Sequence, residues 1–305
     1  MALIETSKTV SVPGGEVRVF CLSHDTTPAD AIPLVYIHGG PGGTHGTAKK
    51  YLAPLAERFP LYFYDQLGSY HSPAPFSDEL MRPERFTEEL HAILTAHTIP
   101  RALLLGHSWG ACIAIDYALT HPDRVAGVHL SSPLISTPRW IADANALLDN
   151  LPDDMCEAIR YHEEAGTTDD PAYIRAADEF YNRHFCRLDP WPQDILDSFP
   201  KTNKALYTGM WGPSEFRCTG TLKTHDRFPD LPRLTMPVML TAGRYDEARP
   251  ETMEDAAALI PDSRVTIFEH SAHVAYIEES DAYRAAIAAF MAELQGRSGQ
   301  VKKTS

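Results

Sequence analysis

Residues 106–110 read Gly-His-Ser-Trp-Gly, a spacing that can present a serine hydroxyl for nucleophilic attack. The short apolar run 103–105 before them is typical of a buried strand, and helix-forming residues 111–119 follow. A strand, tight turn and helix in this order hold the serine in a strained conformation at the carboxyl end of a parallel sheet. Because G-x-S-x-G also occurs by chance, it is this context that makes Ser108 the predicted nucleophile.

A base and an acid are needed beside the serine, since a hydroxyl is a poor nucleophile until its proton is taken. In this topology the chain order is expected to be serine, acid, histidine, each after a strand. Asp246 follows the predicted strand 237–241, and His273 follows the predicted strand 264–268. His270 is an alternative base, but it lies nearer the strand end and we assign it to the loop. Aspartate and histidine are each common after strands, so the predicted triad depends on the order of all three residues.

Residues 38–43, His-Gly-Gly-Pro-Gly-Gly, directly follow the predicted strand 33–37. Acyl transfer needs N–H donors directed at the developing oxyanion, and glycines let the backbone approach the substrate. We expect the backbone N–H groups of Gly40 and Trp109 to be these donors. The segment does not resemble a phosphate-binding loop, because no Gly-Lys-Ser/Thr follows it. The predicted chemistry requires neither a metal nor an organic cofactor.

The alternation of short apolar runs with segments of helical spacing, such as 48–58, predicts a parallel, doubly wound α/β sheet. This alternation breaks after residue 131, where the chain becomes helical and rich in aromatic and acidic residues, and it resumes near residue 237. We expect residues 1–133 and 234–305 to form the core, and residues 134–233 to form a helical cap over the carboxyl edge of the sheet.

Composition excludes several other classes of protein. The 27 lysines and arginines against 41 aspartates and glutamates give a net charge of −14, which disfavours binding to nucleic acid. No segment approaches ~20 consecutive apolar residues, and the first residues do not resemble a secretory signal, so we expect no membrane association. Five cysteines without a C-x-x-C pair predict neither a disulfide framework nor a zinc site. A cytoplasmic location is the simplest expectation.

Together the motifs resemble the proline iminopeptidase (prolyl aminopeptidase) family of α/β-hydrolases over nearly the whole chain. The resemblance depends on residues 38–42, 65–69 (Asp-Gln-Leu-Gly-Ser), 106–110 and 243–247 (Gly-Arg-Tyr-Asp-Glu). Residues 211–216 and 219–221 are similar to the branch that includes tricorn-interacting aminopeptidase and the L-amino-acid (proline) amide hydrolases. The resemblance implies the α/β-hydrolase fold, with a mostly parallel sheet and a helical cap inserted after the sixth strand. It also implies the same triad and oxyanion donors.

The resemblance further implies that Glu215 and Glu247 hold the α-amino group of the substrate. Two carboxylates converging on an ammonium ion form charge-assisted hydrogen bonds, and they disfavour substrates that lack the charge. The cap aromatics Tyr207, Trp211 and Phe216 are expected either to line an apolar substrate pocket or to pack in the core. This sequence departs from the family at residues 70 and 71, where Tyr-His stands in place of the glycine and arginine of many relatives.

These observations predict a serine hydrolase that removes an N-terminal residue, proline or another small or apolar one, from short peptides or amino-acid amides. The partner is therefore a small peptide or amide that carries a free α-amine. An L-amino-acid (proline) amide hydrolase is the nearest alternative, because only the leaving group differs. An esterase and a non-catalytic receptor on the same fold are more distant alternatives.

Overall fold

The computed structural model describes residues 2–304, with side chains through Arg297. Eight strands form one sheet in the spatial order β1-β2-β4-β3-β5-β6-β7-β8. The pairs β1–β2 and β2–β4 are antiparallel, and the remaining pairings are parallel. The strands are β1 Leu3–Val12, β2 Gly15–His24, β3 Leu34–Ile37, β4 Leu61–Tyr64, β5 Ala102–His107, β6 Val125–Ser131, β7 Val238–Gly243 and β8 Ser263–Phe268.

Helices cover both faces of the sheet and also follow β6, before the chain returns to the sheet at β7. They are α1 Gly46–Leu52, α2 Pro83–Ala96, α3 Trp109–Thr120, α4 Thr137–Leu148, α5 Asp153–Ala165, α6 Pro171–His184, α7 Gln193–Leu196, α8 Lys204–Met210, α9 Pro250–Leu259, α10 Ala275–Glu278 and α11 Ser280–Thr304. The predicted α/β class with a mostly parallel sheet and a helical insertion after the sixth strand is confirmed. The exact limits of the cap stay a prediction.

The central strands β5, β6 and β7 are buried along their whole length. Parallel strands covered on both faces are expected to be continuously apolar, and each of these strands is mostly apolar. One large apolar cluster lies between the sheet and helices α2, α3 and α9, and a second lies between the sheet and helices α1 and α11. A third, smaller cluster joins helices α4, α5 and α6 within the cap, so the cap has apolar packing of its own.

Loops that follow the parallel strands meet at the carboxyl edge of the sheet, which in open α/β sheets is where ligands bind. The segments after β3, β4, β5, β7 and β8 carry, in that order, Gly40, Asp65, Ser108, Asp246 and His273. Within the part of the chain that the structure describes, no helix is long and apolar enough to cross a membrane.

Candidate active site

Ser108 lies at a sharp turn between β5 and α3, with φ 54° and ψ −121°. This left-handed backbone region is unfavourable for a residue with a side chain, and such strain is typical of functional turns. The flanking glycines are required sterically. A Cβ on Gly106 would lie 2.4 Å from the Gly110 carbonyl oxygen, and one on Gly110 would lie 2.1 Å from the Ile37 carbonyl oxygen. The turn is further held by the Ser108 N–H, which donates to the carbonyl of Ser131 at 3.0 Å.

His273 and Asp246 are brought together by the loops that follow β8 and β7. The Nδ1–H of His273 donates to Oδ1 of Asp246 at 2.8 Å, and both side chains are buried. Asp246 also accepts the N–H of Ala248 at 2.8 Å, which fixes the carboxylate orientation. His270, the alternative base, uses its backbone N–H to bind Glu279 and lies outside this pair.

The imidazole of His273 is adjacent to the nucleophile turn. Its ring centroid lies 4.9 Å from that of His107, the residue directly before Ser108. The Gly39 backbone also lies close to Ser108, because a Cβ built on Gly39 would be 3.1 Å from the Ser108 Cβ. The hydroxyl of Ser132 donates to the His273 carbonyl at 3.0 Å and ties the histidine loop to the end of β6. The predicted nucleophile, base and acid therefore share one edge of the sheet.

The charge environment of His273 is strongly acidic. Burial alone lowers the pKa of an imidazole, but the negative charges of Asp246, Glu247 and Glu215 outweigh it and raise the pKa of His273 to about 9. By contrast, burial lowers the pKa of His107 well below its usual value, and the nearby His273 lowers it further. The two adjacent rings thus have opposite charge preferences, with the proton favoured on His273.

Gly40 and Trp109, the predicted oxyanion donors, lie in the segments after β3 and β5, and the side chain of Gln66 connects these two segments. Gln66 donates through Nε2 to the His38 carbonyl at 2.9 Å, and its Oε1 accepts the Trp109 indole N–H at 3.0 Å. The Gln66 backbone N–H donates to Nε2 of His38 at 3.0 Å. Trp109 is the first residue of α3, so its backbone N–H lies at the positive end of a helix. Gly40 has φ 125°, a conformation that favours glycine.

The two predicted amine-binding glutamates differ in their surroundings. Glu215 accepts a hydrogen bond from the hydroxyl of Tyr207. Glu247 is buried next to Asp246, with Oε1 3.7 Å from Nδ1 of His273. Its second oxygen, Oε2, is buried and accepts no hydrogen bond from any described residue. Burial raises the pKa of Glu215, and burial together with the charge of Glu215 raises that of Glu247 well above its usual value. Burial therefore opposes ionisation of both glutamates, and no lysine or arginine of the described residues forms an ion pair with either one.

The predicted aromatic residues are only partly directed at this pair. Tyr207 contacts Glu215 directly. Trp211 packs edge-to-face on Trp140, with ring centroids 6.2 Å apart, and Phe216 packs on Phe180 within the cap at 4.8 Å.

Trp140 on α4 is a cap aromatic that lies against the candidate base, with its ring centroid 5.7 Å from that of His273. No motif or periodicity near Trp140 in the chain marks it as a site residue. Gln66 lies within the motif 65–69, but nothing in that motif predicts its role as a bridge.

The cluster of Asp65, His45 and His71 has the residue types of a metal site, and its ligand atoms lie within 4.8 Å of one another. Each carboxylate oxygen of Asp65, however, already accepts two N–H donors, one from a backbone and one from an Nδ1 atom. These four hydrogen bonds account for the positions of the three side chains without a metal ion, and they fix the loop after β4. Tyr70 in this loop is exposed and packs edge-to-face on His71.

The sheet topology, the nucleophile turn and the adjacent carboxylate–imidazole pair define an α/β hydrolase. A family model described as the alpha/beta hydrolase fold matches residues 32–280. The chain is 42% identical to a proline iminopeptidase of Heyndrickxia coagulans over 262 residues, which are 85% of this chain and 90% of that protein. It is 35% identical to the proline iminopeptidase of Saccharolobus solfataricus over 264 residues, covering 85% and 84% of the two chains.

A solved proline iminopeptidase from Mycobacterium smegmatis superposes with a TM-score of 0.90 at 33% identity, covering 96% of this chain and all of that one. The chain belongs to the proline iminopeptidase family of α/β hydrolases. It is an enzyme of the aminopeptidase type. The predicted family, fold and enzyme class are therefore confirmed, and the alternative of a non-catalytic receptor is wrong.

Proposed function

We propose that the enzyme removes N-terminal proline, or another small or apolar residue, from short peptides or from the corresponding amides. The relatives above are named proline iminopeptidases, which supports this substrate class. The observation that carries the proposal is the unsatisfied carboxylate oxygen of Glu247, which is buried beside the His273–Asp246 pair. A buried acceptor without a donor is costly, so it calls for a ligand that donates N–H groups.

In the proposed mechanism the Ser108 hydroxyl attacks the carbonyl carbon of the first residue, and His273 takes its proton. Asp246 orients the imidazole and stabilises the imidazolium that forms. The N–H groups of Gly40 and Trp109 bind the oxyanion. His273 then gives the proton to the departing amine, which leaves an acyl ester on Ser108. Water, activated by the same imidazole, releases the amino acid.

The α-ammonium group of the substrate is proposed to lie between Glu215 and Glu247. Its N–H donors would satisfy the free oxygen of Glu247 and reduce the repulsion between the two carboxylates. The hydroxyl of Tyr207 supports this role, because it orients Glu215. Trp211 and Phe216 serve mainly to pack the cap around the site, while the ring of Trp140 packs against that of His273.

The test is hydrolysis of proline p-nitroanilide by the purified Ser108→Ala variant. Loss of the nucleophile should lower kcat by roughly 10⁴-fold or more with the fold intact. Ser263→Ala, which removes a hydroxyl bonded to the Ala257 carbonyl at the start of β8, is the matched control and should retain activity. N-acetylproline p-nitroanilide should be a poor substrate of the wild-type enzyme. Retained activity in Ser108→Ala would refute the nucleophile assignment.

The leaving group separates the two closest activities. Side-by-side rates on prolyl dipeptides and prolinamide distinguish an aminopeptidase from an amino-acid amidase. Efficient hydrolysis of long-chain esters would instead support the esterase alternative. The cytoplasmic location expected from the cysteine pattern stays a prediction.

A further inference from the structure

Three carboxylates surround the single imidazole of the candidate base. Nδ1 of His273 lies 2.8 Å from Asp246 Oδ1 and 3.7 Å from Glu247 Oε1. The charge of Glu215, on the cap, also acts on this imidazole. Among the described residues, no lysine or arginine forms an ion pair with either glutamate. The imidazole is therefore the nearest available positive charge for Glu247.

The other neighbours of His273 supply no competing charge. His107 faces it from the turn at Ser108 and favours the neutral form, and the uncharged rings of Trp140 and Phe185 also pack against it. On the far side of the glutamates, the neighbouring titratable groups are the phenols of Tyr181 and Tyr207, whose pKa values burial raises well above the usual value. His184, whose carbonyl accepts the Glu247 N–H, also favours its neutral form, because burial lowers its pKa. Among the described residues no other cation pairs with the glutamates, so a second cation has to come from a bound ligand.

We propose that Glu247 makes the base depend on the substrate: an empty amine site holds His273 protonated, and a bound ammonium ion allows His273 to lose that proton. This inference rests on the proposed function, because it uses the same amine site. One ammonium ion enters and one proton leaves to solvent, so the net charge of the pocket is unchanged. An imidazolium cannot accept the Ser108 proton, so substrates without an amine would meet an inactive base. Glu247 is then both an amine anchor and a positioning residue for the proton.

The experiment follows the pH dependence of Ser108 sulfonylation by phenylmethanesulfonyl fluoride, which carries no amine and requires a neutral His273. Removing one negative charge within ~4 Å lowers the pKa of a histidine by about 1–3 units. The midpoint for Glu247→Gln should therefore lie about 1–3 pH units below that of the wild type. At pH 7 the variant should react about 10–90 times faster, given the wild-type pKa of about 9.

Hydrolysis of proline p-nitroanilide by Glu247→Gln should fall at the same time, because the amine anchor is weakened. A merely structural role would reduce both reactions. Glu163→Gln is the matched control, since it removes a cap carboxylate that binds Tyr173 and forms no ion pair with a described residue. Its pH midpoint should equal that of the wild type.

The possible outcomes separate the two proposals. An unchanged midpoint in Glu247→Gln, together with lost hydrolysis of the amine substrate, refutes the coupling and keeps the anchor. Retained hydrolysis of the amine substrate refutes the anchor itself. If the variant does not fold, ¹⁵N NMR of the histidine rings in the free wild-type enzyme decides the question, with His273→Asn used for assignment. The His273 ring should be cationic at pH 7, and a neutral ring overturns the proposal.

Discussion

Replacing Gln66 with leucine tests whether the oxyanion donors depend on a bridge between two loops. The glutamine side chain joins the His38 carbonyl, at the start of the Gly40 loop, to the indole of Trp109 on the nucleophile turn. Leucine is similar in size but makes neither hydrogen bond. Both bonds would be lost, while the backbone N–H of residue 66 would still donate to the ring of His38.

The magnitude follows from the two groups that would be left unpaired. An unsatisfied buried polar group costs about 1–3 kcal/mol, so Gln66→Leu should lower the free energy of unfolding by about 2–6 kcal/mol. Loss of an oxyanion donor lowers kcat by about 10²–10³-fold, and displacing a donor without removing it should cost less. We expect kcat to fall by roughly 10–100-fold. KM for an amine substrate should change little, because Glu215 and Glu247 are untouched.

The assay compares kcat and KM on prolinamide with urea unfolding for the same variants. Gln295→Leu is the matched control. Gln295 also bridges two backbone groups, accepting from the Ile32 N–H at 3.0 Å and donating to the Asp30 carbonyl at 3.1 Å. Gln295 is on α11 and partly exposed, and its partners lie just before β3, at the amino end of that strand, so its loss should cost some stability and leave kcat unchanged. If Gln66→Leu loses stability but keeps the wild-type kcat, the bridge is structural only and the reasoning is wrong.

Two further substitutions test the loops around the site. Asn203, which caps α8 and donates from Nδ2 to the Gly68 carbonyl at 2.7 Å, holds the helix of Tyr207 against the core. Asn203→Ala should lower the free energy of unfolding by about 1–2 kcal/mol and raise KM for prolinamide, measured by urea unfolding and steady-state kinetics. For Asp65, burial opposes ionisation, but hydrogen bonds and positive charge from its histidine neighbours hold the pKa well below its usual value. Asp65→Asn should therefore lower the free energy of unfolding by about 2–4 kcal/mol at pH 7. Because the folded pKa is depressed, this difference should be full above about pH 4 and shrink as the pH falls; a pH-independent difference would contradict this account.

Much of the fold could be predicted because its signals are local. The strand, tight turn and helix around Ser108 lie within ~20 consecutive residues, and each piece has a distinct pattern. The alternation of apolar runs and helices fixes the parallel sheet in the same way. Strand ends differ from the predicted ones by one or two residues, and one helix ends early: the helical spacing over 48–58 becomes α1 to Leu52 and then a short 3-10 segment, Ala53–Glu57. Pro54 explains the break, because it lacks an N–H and its ring clashes with the preceding turn.

The parts of the site that could not be predicted are contacts between residues far apart in the chain. Gln66 meets Trp109 across 43 positions, and Trp140 meets His273 across more than a hundred. No periodicity within either segment encodes such a pairing, since it depends on which loops the sheet order brings together. Gln66 and Trp140 would look the same in sequence if they were ordinary surface or core residues.

In the proposed function, selectivity for a free amine arises where the helical insertion meets the hydrolase core, because the two glutamates come from these two parts. Glu247 follows Asp246 directly, so any core with this loop carries one acid beside the base. Glu215 comes from the cap, and α6 connects the cap to the same loop: the ring of His184 donates to the Tyr245 carbonyl at 2.8 Å, and the His184 carbonyl accepts the Glu247 N–H at 3.3 Å. Because one carboxylate belongs to the core and the other to the cap, an ammonium ion between them would bind both parts. Selectivity for a free amine would then depend on how firmly the cap is held, and therefore on the hydrogen bonds of Asn203 and His184 as well as on the glutamates.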